Sequence, residues 1–281
     1  MSNDRPIAVV GGGTMGCGVA HGLAAAGHRV LVLEPDERAR RSGASRVRDA
    51  ARLAVLLGHD RASPEDVLAN VEWVGWDDIA DVRFVVECAP ERIALKESLF
   101  RDLDQRCPQD AVLASCTSAI PIGVLADRTG RPDRVIGVHF MNPVPVKRFV
   151  EVARTPRTSA ETLAATTELL AGMGKEAIVV SDAPGFVTNR VLMATINDAA
   201  TVVQEGTADA ATVDEIFQRC FDHRMGPLRT ADLIGLDTVV DTLHVLRELT
   251  GNDRYVPCDL LVGLVRDNRL GRKTGRGFHG S

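Results

Sequence analysis

Three things are scarce in this chain, and each shortage narrows what it can be. No apolar run approaches the roughly 20 residues a membrane-spanning helix requires. The opening MSNDRPIAVV passes from one short apolar strand directly into glycines, which is not the pattern of a secretory leader. Lysine is rare: Lys96, Lys147, Lys175 and Lys273 stand against 29 arginines, and the formal net charge is -5. That net charge argues mildly against a nucleic-acid partner while leaving a local basic patch open. The six cysteines, Cys17, Cys88, Cys107, Cys116, Cys220 and Cys258, form no CxxC pair and no metal-ligand spacing. Free thiols in a reducing cytoplasm, with no metal site, are therefore expected. No internal repeat is evident. What remains is a length suited to two domains, with 45% hydrophobic and 25% charged residues as in ordinary soluble enzymes.

The amino-terminal part alternates strand and helix patterns. Residues 6–10, PIAVV, form a short apolar strand, followed at once by Gly11-Gly12-Gly13-Thr14-Met15-Gly16. A helical stretch at 18–26 and a second strand, Arg29 to Leu33, come next. Strand, GxGxxG, helix, strand is the context a dinucleotide site requires. Gly11 permits the turn, Gly13 lets backbone approach a pyrophosphate, and Gly16 lets helix and strand pack closely. The phosphates would meet the positive end of the helix, with Thr14 and Met15 beside them. Glu34 follows the second strand, where a carboxylate binds ribose hydroxyls and repels a 2′-phosphate, so NAD is expected over NADP.

Further units follow. Residues 36–57 read as helical with a break near Gly43, and 59–64 as a loop. Strands are expected at 82–86, 111–115, 134–140, 149–153 and 177–180, with helices at 91–106 and 160–172. The strand ends at Glu87-Cys88-Ala89-Pro90-Glu91 and at Cys116-Thr117-Ser118 fall where open sheets place ligand loops. After 182–185 the texture turns helical: 186–205 with Asn189 in its first turn, then 209–220, 235–249 and 257–267, with Met225-Gly226-Pro227 as punctuation. The expected fold class is α/β, with an N-terminal Rossmann-like NAD-binding domain over 1–183 and an all-helical domain over 184–281. The tail from Gly271 to Phe278 reads as an ordered loop anchored by its aromatic end.

One histidine stands apart. His139 lies between an apolar strand and the turn Met141-Asn142-Pro143, and Glu151 follows on the next apolar run. An imidazole titrates near neutrality, and a carboxylate on one ring nitrogen would fix its tautomer and help it take a proton. Structural alternatives stand beside this reading. His139 could be a satisfied buried side chain, Glu151 a strand-end acid, Asn189 a helix-start partner, and Ser118 a cap for the turn into a helix at Pro121. The other histidines have no such context.

The segments VVGGGTMGCGVA, VVECAPE, LASCTS, VIGVHFMNPVPV, FVEV, DAPGFVTNR, GPLRTADLIGLDT and LGRKTGRGF, in this order from end to end, resemble the L-3-hydroxyacyl-CoA dehydrogenases, especially the short bacterial 3-hydroxybutyryl-CoA dehydrogenases. The resemblance implies an NAD-binding domain followed by a helical substrate-binding domain that also makes a homodimer. It makes His139 the base, Glu151 its partner, Ser118 a contact to substrate hydroxyl and cofactor, and Asn189 a holder of the reacting group. It also assigns Ala89, Glu91, Lys96, Asn142 and Lys273 to the cofactor site.

This chain departs from the family at Cys116, where Asn is usual, at Met141, at Lys147-Arg148, and in ending Phe278-His279 instead of Phe-Tyr. Residues 46–66 lack the lysines with which the family's helical hairpin grips coenzyme A; the run Ala54 to Asp60 reads AVLLGHD, and Arg46, Arg48 and Arg52 could substitute for phosphate contacts. The expected substrate is a short 3-hydroxyacyl thioester, carried by CoA or by an acyl carrier protein, such as a glyceryl group in polyketide extender-unit synthesis. Lys147 or Arg148 could suit such a polar acyl group. A free-acid dehydrogenase and an idle NAD-binding protein are the remaining readings.

Overall fold

The computed structural model describes residues 5–59 and 62–280, so Asp60 and part of the expected 59–64 loop lie outside the described residues. The chain divides into two compact units, Met1–Ala183 and Pro184–Ser281.

The first unit is built on an eight-stranded sheet of order β3-β2-β1-β4-β5-β6-β7-β8. Its strands are β1 (Ile7–Val10), β2 (Val30–Leu33), β3 (Val71–Val74), β4 (Phe84–Glu87), β5 (Val112–Ser115), β6 (Val135–His139), β7 (Phe149–Arg154) and β8 (Glu176–Ser181). The first six run parallel; β7 turns back antiparallel to β6, and β8 pairs parallel with β7. β1, β2, β4 and β5 are near-continuous apolar runs because both faces of the sheet are covered. On one face, Ile7, Val9, Val32, Val86, Ala114 and Val138 pack in a single cluster with residues of α1 (Thr14–Ala25), α2 (Glu37–Leu56), α3 (Pro64–Ala69) and α6 (Ala160–Gly172). Alternate residues Ala8, Leu31, Val85 and Leu113 point the other way and are equally buried, on the side of α4 (Ile93–Arg106) and α5 (Ile122–Ala126).

Three expectations need correction here. α2 is unbroken through Gly43; the glycine is there for space, since a Cβ at that position would lie 2.0 Å from the Trp73 ring. β3 escaped the sequence reading because it is a half-exposed edge strand without clean alternation. Pro64 and Pro227 looked like punctuation but occupy the first turn of α3 and of α9 (Pro227–Ile234), where the missing N–H costs nothing.

The second unit is helical: α7 (Thr188–Gln204), α8 (Ala210–Cys220), α9, α10 (Leu236–Thr250) and α11 (Asp259–Arg266). Its own core gathers Met193, Ile196, Ala200, Leu228, Val239, Leu243, Tyr255 and Leu261. The glycine-rich tail is ordered. Asp232 accepts from the Phe278 and His279 backbone N–H groups at 2.9 Å each, and Phe278 packs against that core.

Candidate active site

The dinucleotide loop sits between β1 and α1. Gly11 has φ +103°, a left-handed conformation that favours glycine, and a Cβ at Gly16 would lie 1.8 Å from the Gly11 carbonyl oxygen. Gly13 and Thr14 are exposed at the start of α1, and nothing lies within 4 Å of where a Gly13 Cβ would be. That leaves room for a pyrophosphate against the helix N-terminus. Glu34 is oriented by two backbone donors, Gly12 N at 2.7 Å and Asp36 N at 2.8 Å. Each of its oxygens keeps lone-pair capacity for a ribose hydroxyl. A cavity of about 470 Å³ opens beside it, lined among others by Gly11, Glu34, Trp76, Ala89, Leu95 and Leu99. Its largely apolar wall and single carboxylate fit the adenosine half of NAD. Trp76, Leu95 and Leu99 were not picked out from the sequence; they are apolar residues on other elements whose convergence only the fold reveals.

At the end of β4 lies a buried ionic group. Glu87, fully buried, takes Lys96 Nζ on both oxygens (2.7 and 2.9 Å) and also the Ser115 hydroxyl and Ala89 N. Lys96 is 1% exposed, and its remaining reach goes to the Ala89 carbonyl at 3.0 Å. Burial alone would lower the lysine pKa, but the Glu87 and Glu91 carboxylates outweigh it and hold it above its ordinary range. Lys96 thus supports the cofactor loop from beneath, through Ala89. Removing either partner would strand a buried charge, at a cost of about 3–5 kcal/mol. Glu87 was not singled out; its signal was an acid closing the buried run VVE, nine residues before Lys96.

Glu91 organises the neighbouring turn. It accepts from the Thr117 hydroxyl and from the Ser118 and Ala119 N–H groups, the last two at 2.9 Å. Ser118 is therefore held at the end of β5 by its backbone. Asp182 caps the start of α5, its two oxygens taking Ile122 N and Gly123 N at 2.8 Å each.

His139 ends β6, and Glu151 is its direct partner across the antiparallel pair with β7. The register brings Nδ1 to 3.1 Å from Glu151 Oε2, with both residues 6% exposed. An ionised carboxylate only accepts, so Nδ1 is the donor of this contact and Nε2 is the ring nitrogen left on the other side. Asn142 is exposed in the following turn. Arg148 pairs with Glu176 and lies over the Phe149 ring, so its charge is engaged on the sheet. Asn189, in the first turn of α7, and Lys273 belong to the second unit. Lys273 Nζ is bound there by Asp237 (2.8 and 2.9 Å) and by the Thr238 hydroxyl (3.1 Å).

A doubly wound sheet with a glycine loop at a helix N-terminus, an acid closing the second strand and a buried His–Glu pair at the carboxyl edge defines an NAD-dependent oxidoreductase. Comparison with known proteins gives the family. Residues 6–183 match the NAD binding domain of 3-hydroxyacyl-CoA dehydrogenase, and residues 185–280 match its C-terminal domain. The chain belongs to the 3-hydroxyacyl-CoA dehydrogenase family. It is 41% identical over 279 residues to a probable 3-hydroxybutyryl-CoA dehydrogenase of Bacillus subtilis, covering 98% of this chain and 96% of that one. Human mitochondrial hydroxyacyl-coenzyme A dehydrogenase is 32% identical, covering 98% and 90%. Among solved structures, (S)-3-hydroxybutyryl-CoA dehydrogenase PaaH1 of Ralstonia eutropha superposes with a TM-score of 0.89 at 37% identity, covering 98% of each chain.

Proposed function

We propose that the protein catalyses the reversible NAD-dependent oxidation of a short 3-hydroxyacyl-CoA to the 3-oxoacyl-CoA, with a four-carbon acyl group as the first substrate to test. The observation that carries this reading is the buried His139–Glu151 pair at the edge of the sheet that bears the dinucleotide loop. Oxidising a secondary alcohol removes a proton from oxygen and a hydride from carbon. NAD, when bound, supplies the hydride acceptor. His139 takes the proton on Nε2, and Glu151 stabilises the imidazolium as charge develops. Ser118, held through its backbone by Glu91, offers its hydroxyl to the reacting oxygen. Asn189 is assigned to the same reacting group on the family likeness alone, as are Asn142 and Lys273 to the cofactor. In reduction, His139 returns the proton to the forming alkoxide.

A second reading keeps this redox step and changes the carrier to an acyl carrier protein. It is supported by α2, where Arg46 donates to the Gly12 carbonyl at 3.0 Å and the helix ends on the exposed Val55, Leu56 and Leu57. An apolar rim beside arginines suits a folded acidic carrier better than a bare nucleotide phosphate. The test follows NADH oxidation with acetoacetyl-CoA beside the matched carrier-protein thioester. Efficient turnover of the CoA form alone supports the first reading; strong preference for the carrier form replaces it with the second. No turnover of any thioester would leave an idle NAD-binding protein. A cytoplasmic location is supported by the six free cysteines. A homodimer is supported by the family likeness and is measured by light scattering.

A further inference from the structure

We propose that Cys88 and Cys116 form a modification site, closing as a reversible disulfide across the carboxyl ends of β4 and β5 and weakening dinucleotide binding. The two strands are parallel and in register through Glu87 and Ser115, so Cys88 and Cys116 occupy the next position on each. Cys116 N continues the ladder, donating to the Glu87 carbonyl at 2.7 Å. Adjacent strands lie about 4.8 Å apart, within the Cα separation a disulfide accepts. In-register neighbours on parallel strands put their side chains on the same face, and both pack against the same apolar cluster. Both residues are partly exposed, whereas Cys17 and Cys107 are buried and their thiols are pushed up to about 11, chiefly by burial.

The two thiols are polarised in opposite directions. The neighbouring Cys116, burial and Glu87 hold the Cys88 thiol well above its ordinary range. The neighbouring Cys88 holds Cys116 below its ordinary range against burial, helped by the Phe140 backbone, His139 and Lys96. Cys116 is therefore the nucleophile and Cys88 the resolving thiol. The oxidant is a low-molecular-weight disulfide. The Cys116 thiolate attacks one of its sulfurs, the S–S bond breaks, and one small thiol leaves. Cys88 then gives up its proton and attacks the Cys116 sulfur, expelling the second small thiol. Two electrons pass from the protein thiols to the small disulfide, which ends as two thiols.

The consequence follows from what the two cysteines support. A Cβ at Gly11 would lie 2.9 Å from the Cys88 carbonyl oxygen, and one at Gly16 would lie 3.5 Å from Cys88 Cβ, so the glycine loop rests directly on Cys88. Cys116 leads into Thr117 and Ser118, which Glu91 holds. A covalent bond between positions 88 and 116 ties the floor of the phosphate loop to the Ser118 turn.

The reduced full-length protein is treated with oxidised glutathione, alkylated and mapped by mass spectrometry, while NADH affinity is read by fluorescence. Neither readout depends on the substrate assigned above. The expected result is a linked Cys88–Cys116 peptide, at least a ten-fold loss of NADH affinity restored by dithiothreitol, and slower reaction when NAD is saturating. Cys88→Ser and Cys116→Ser, each compared with its own reduced form, should show no such reversible loss; Cys220→Ser should behave as wild type. Absence of the linked peptide, an equal loss in Cys88→Ser, or unchanged NADH affinity in the linked protein would each overturn the proposal.

Discussion

Each unit holds a histidine–carboxylate pair, and the two look alike by distance, though His279 is only partly buried. His139 Nδ1 lies 3.1 Å from Glu151 Oε2; His279 Nε2 lies 2.8 Å from Asp214 Oδ2. What separates them is their place in the fold. Asp214 also accepts from Leu228 N and Arg229 N at 2.9 Å each, so it caps α9, and the His279 N–H is bound by Asp232. That pair clasps the tail onto the helical unit. Gly226 is part of the clasp, since a Cβ there would lie 2.1 Å from Asp214 Oδ1. Glu151 and His139 face each other across two strands of a ladder, at the edge where an open sheet places ligands. A short contact alone therefore does not single out the proposed proton-transfer pair; its place at the carboxyl edge of the sheet is what supports that reading.

The largest expected effect tests that distinction directly. His139→Gln should lower turnover about 10³-fold while NADH affinity, read by fluorescence, stays unchanged, because general acid–base catalysis contributes on this scale. Glu151→Gln comes next. Losing a hydrogen bond to a charged group removes about 1.5–3 kcal/mol of imidazolium stabilisation, or roughly 10–100-fold in turnover. Steady-state assays with acetoacetyl-CoA measure both; wild-type turnover in His139→Gln would place the proton acceptor elsewhere, and in Glu151→Gln it would remove the carboxylate from the step.

The sequence disclosed the two sites unequally, for physical reasons. The glycine loop and Glu34 were legible because a local run of strand, turn and helix dictates them. β4, β5 and β6 were legible as buried apolar runs. The His139–Glu151 contact depends on β7 reversing direction, and the residue spacing leaves that direction open. The Glu87–Lys96 pair and the adjacency of Cys88 and Cys116 depend on strand register in the same way, as does the Gly43–Trp73 fit. The Asp214–His279 clasp joins positions 65 apart in sequence and carried no local signal at all. Local chemistry shows through the sequence, while pairings across the sheet or the helical bundle wait for the fold.

In the helical unit the expected cost is in stability. Asp214→Asn replaces one acceptor oxygen by a donor in a residue that is 3% exposed, so one buried N–H loses its partner. The loss should be about 1–3 kcal/mol in denaturant unfolding, with turnover reduced far less than in Glu151→Gln.

The smallest effect is the sharpest discriminator. His279→Gln keeps a side-chain N–H able to reach Asp214, and the backbone N–H groups at 278 and 279 still bind Asp232. Only the quality of one hydrogen bond changes, which is worth about 0.5–1.5 kcal/mol of unfolding free energy, with turnover at the wild-type level. The same substitution at 139 removes the proposed base, so the two variants change the same side chain in the same way at two pairs of similar geometry. A drop in turnover at 279 approaching that at 139 would show that the tail clasp takes part in catalysis. The contrast would then lie in degree, and the duties of Asp214 toward α9 would no longer mark its histidine as structural.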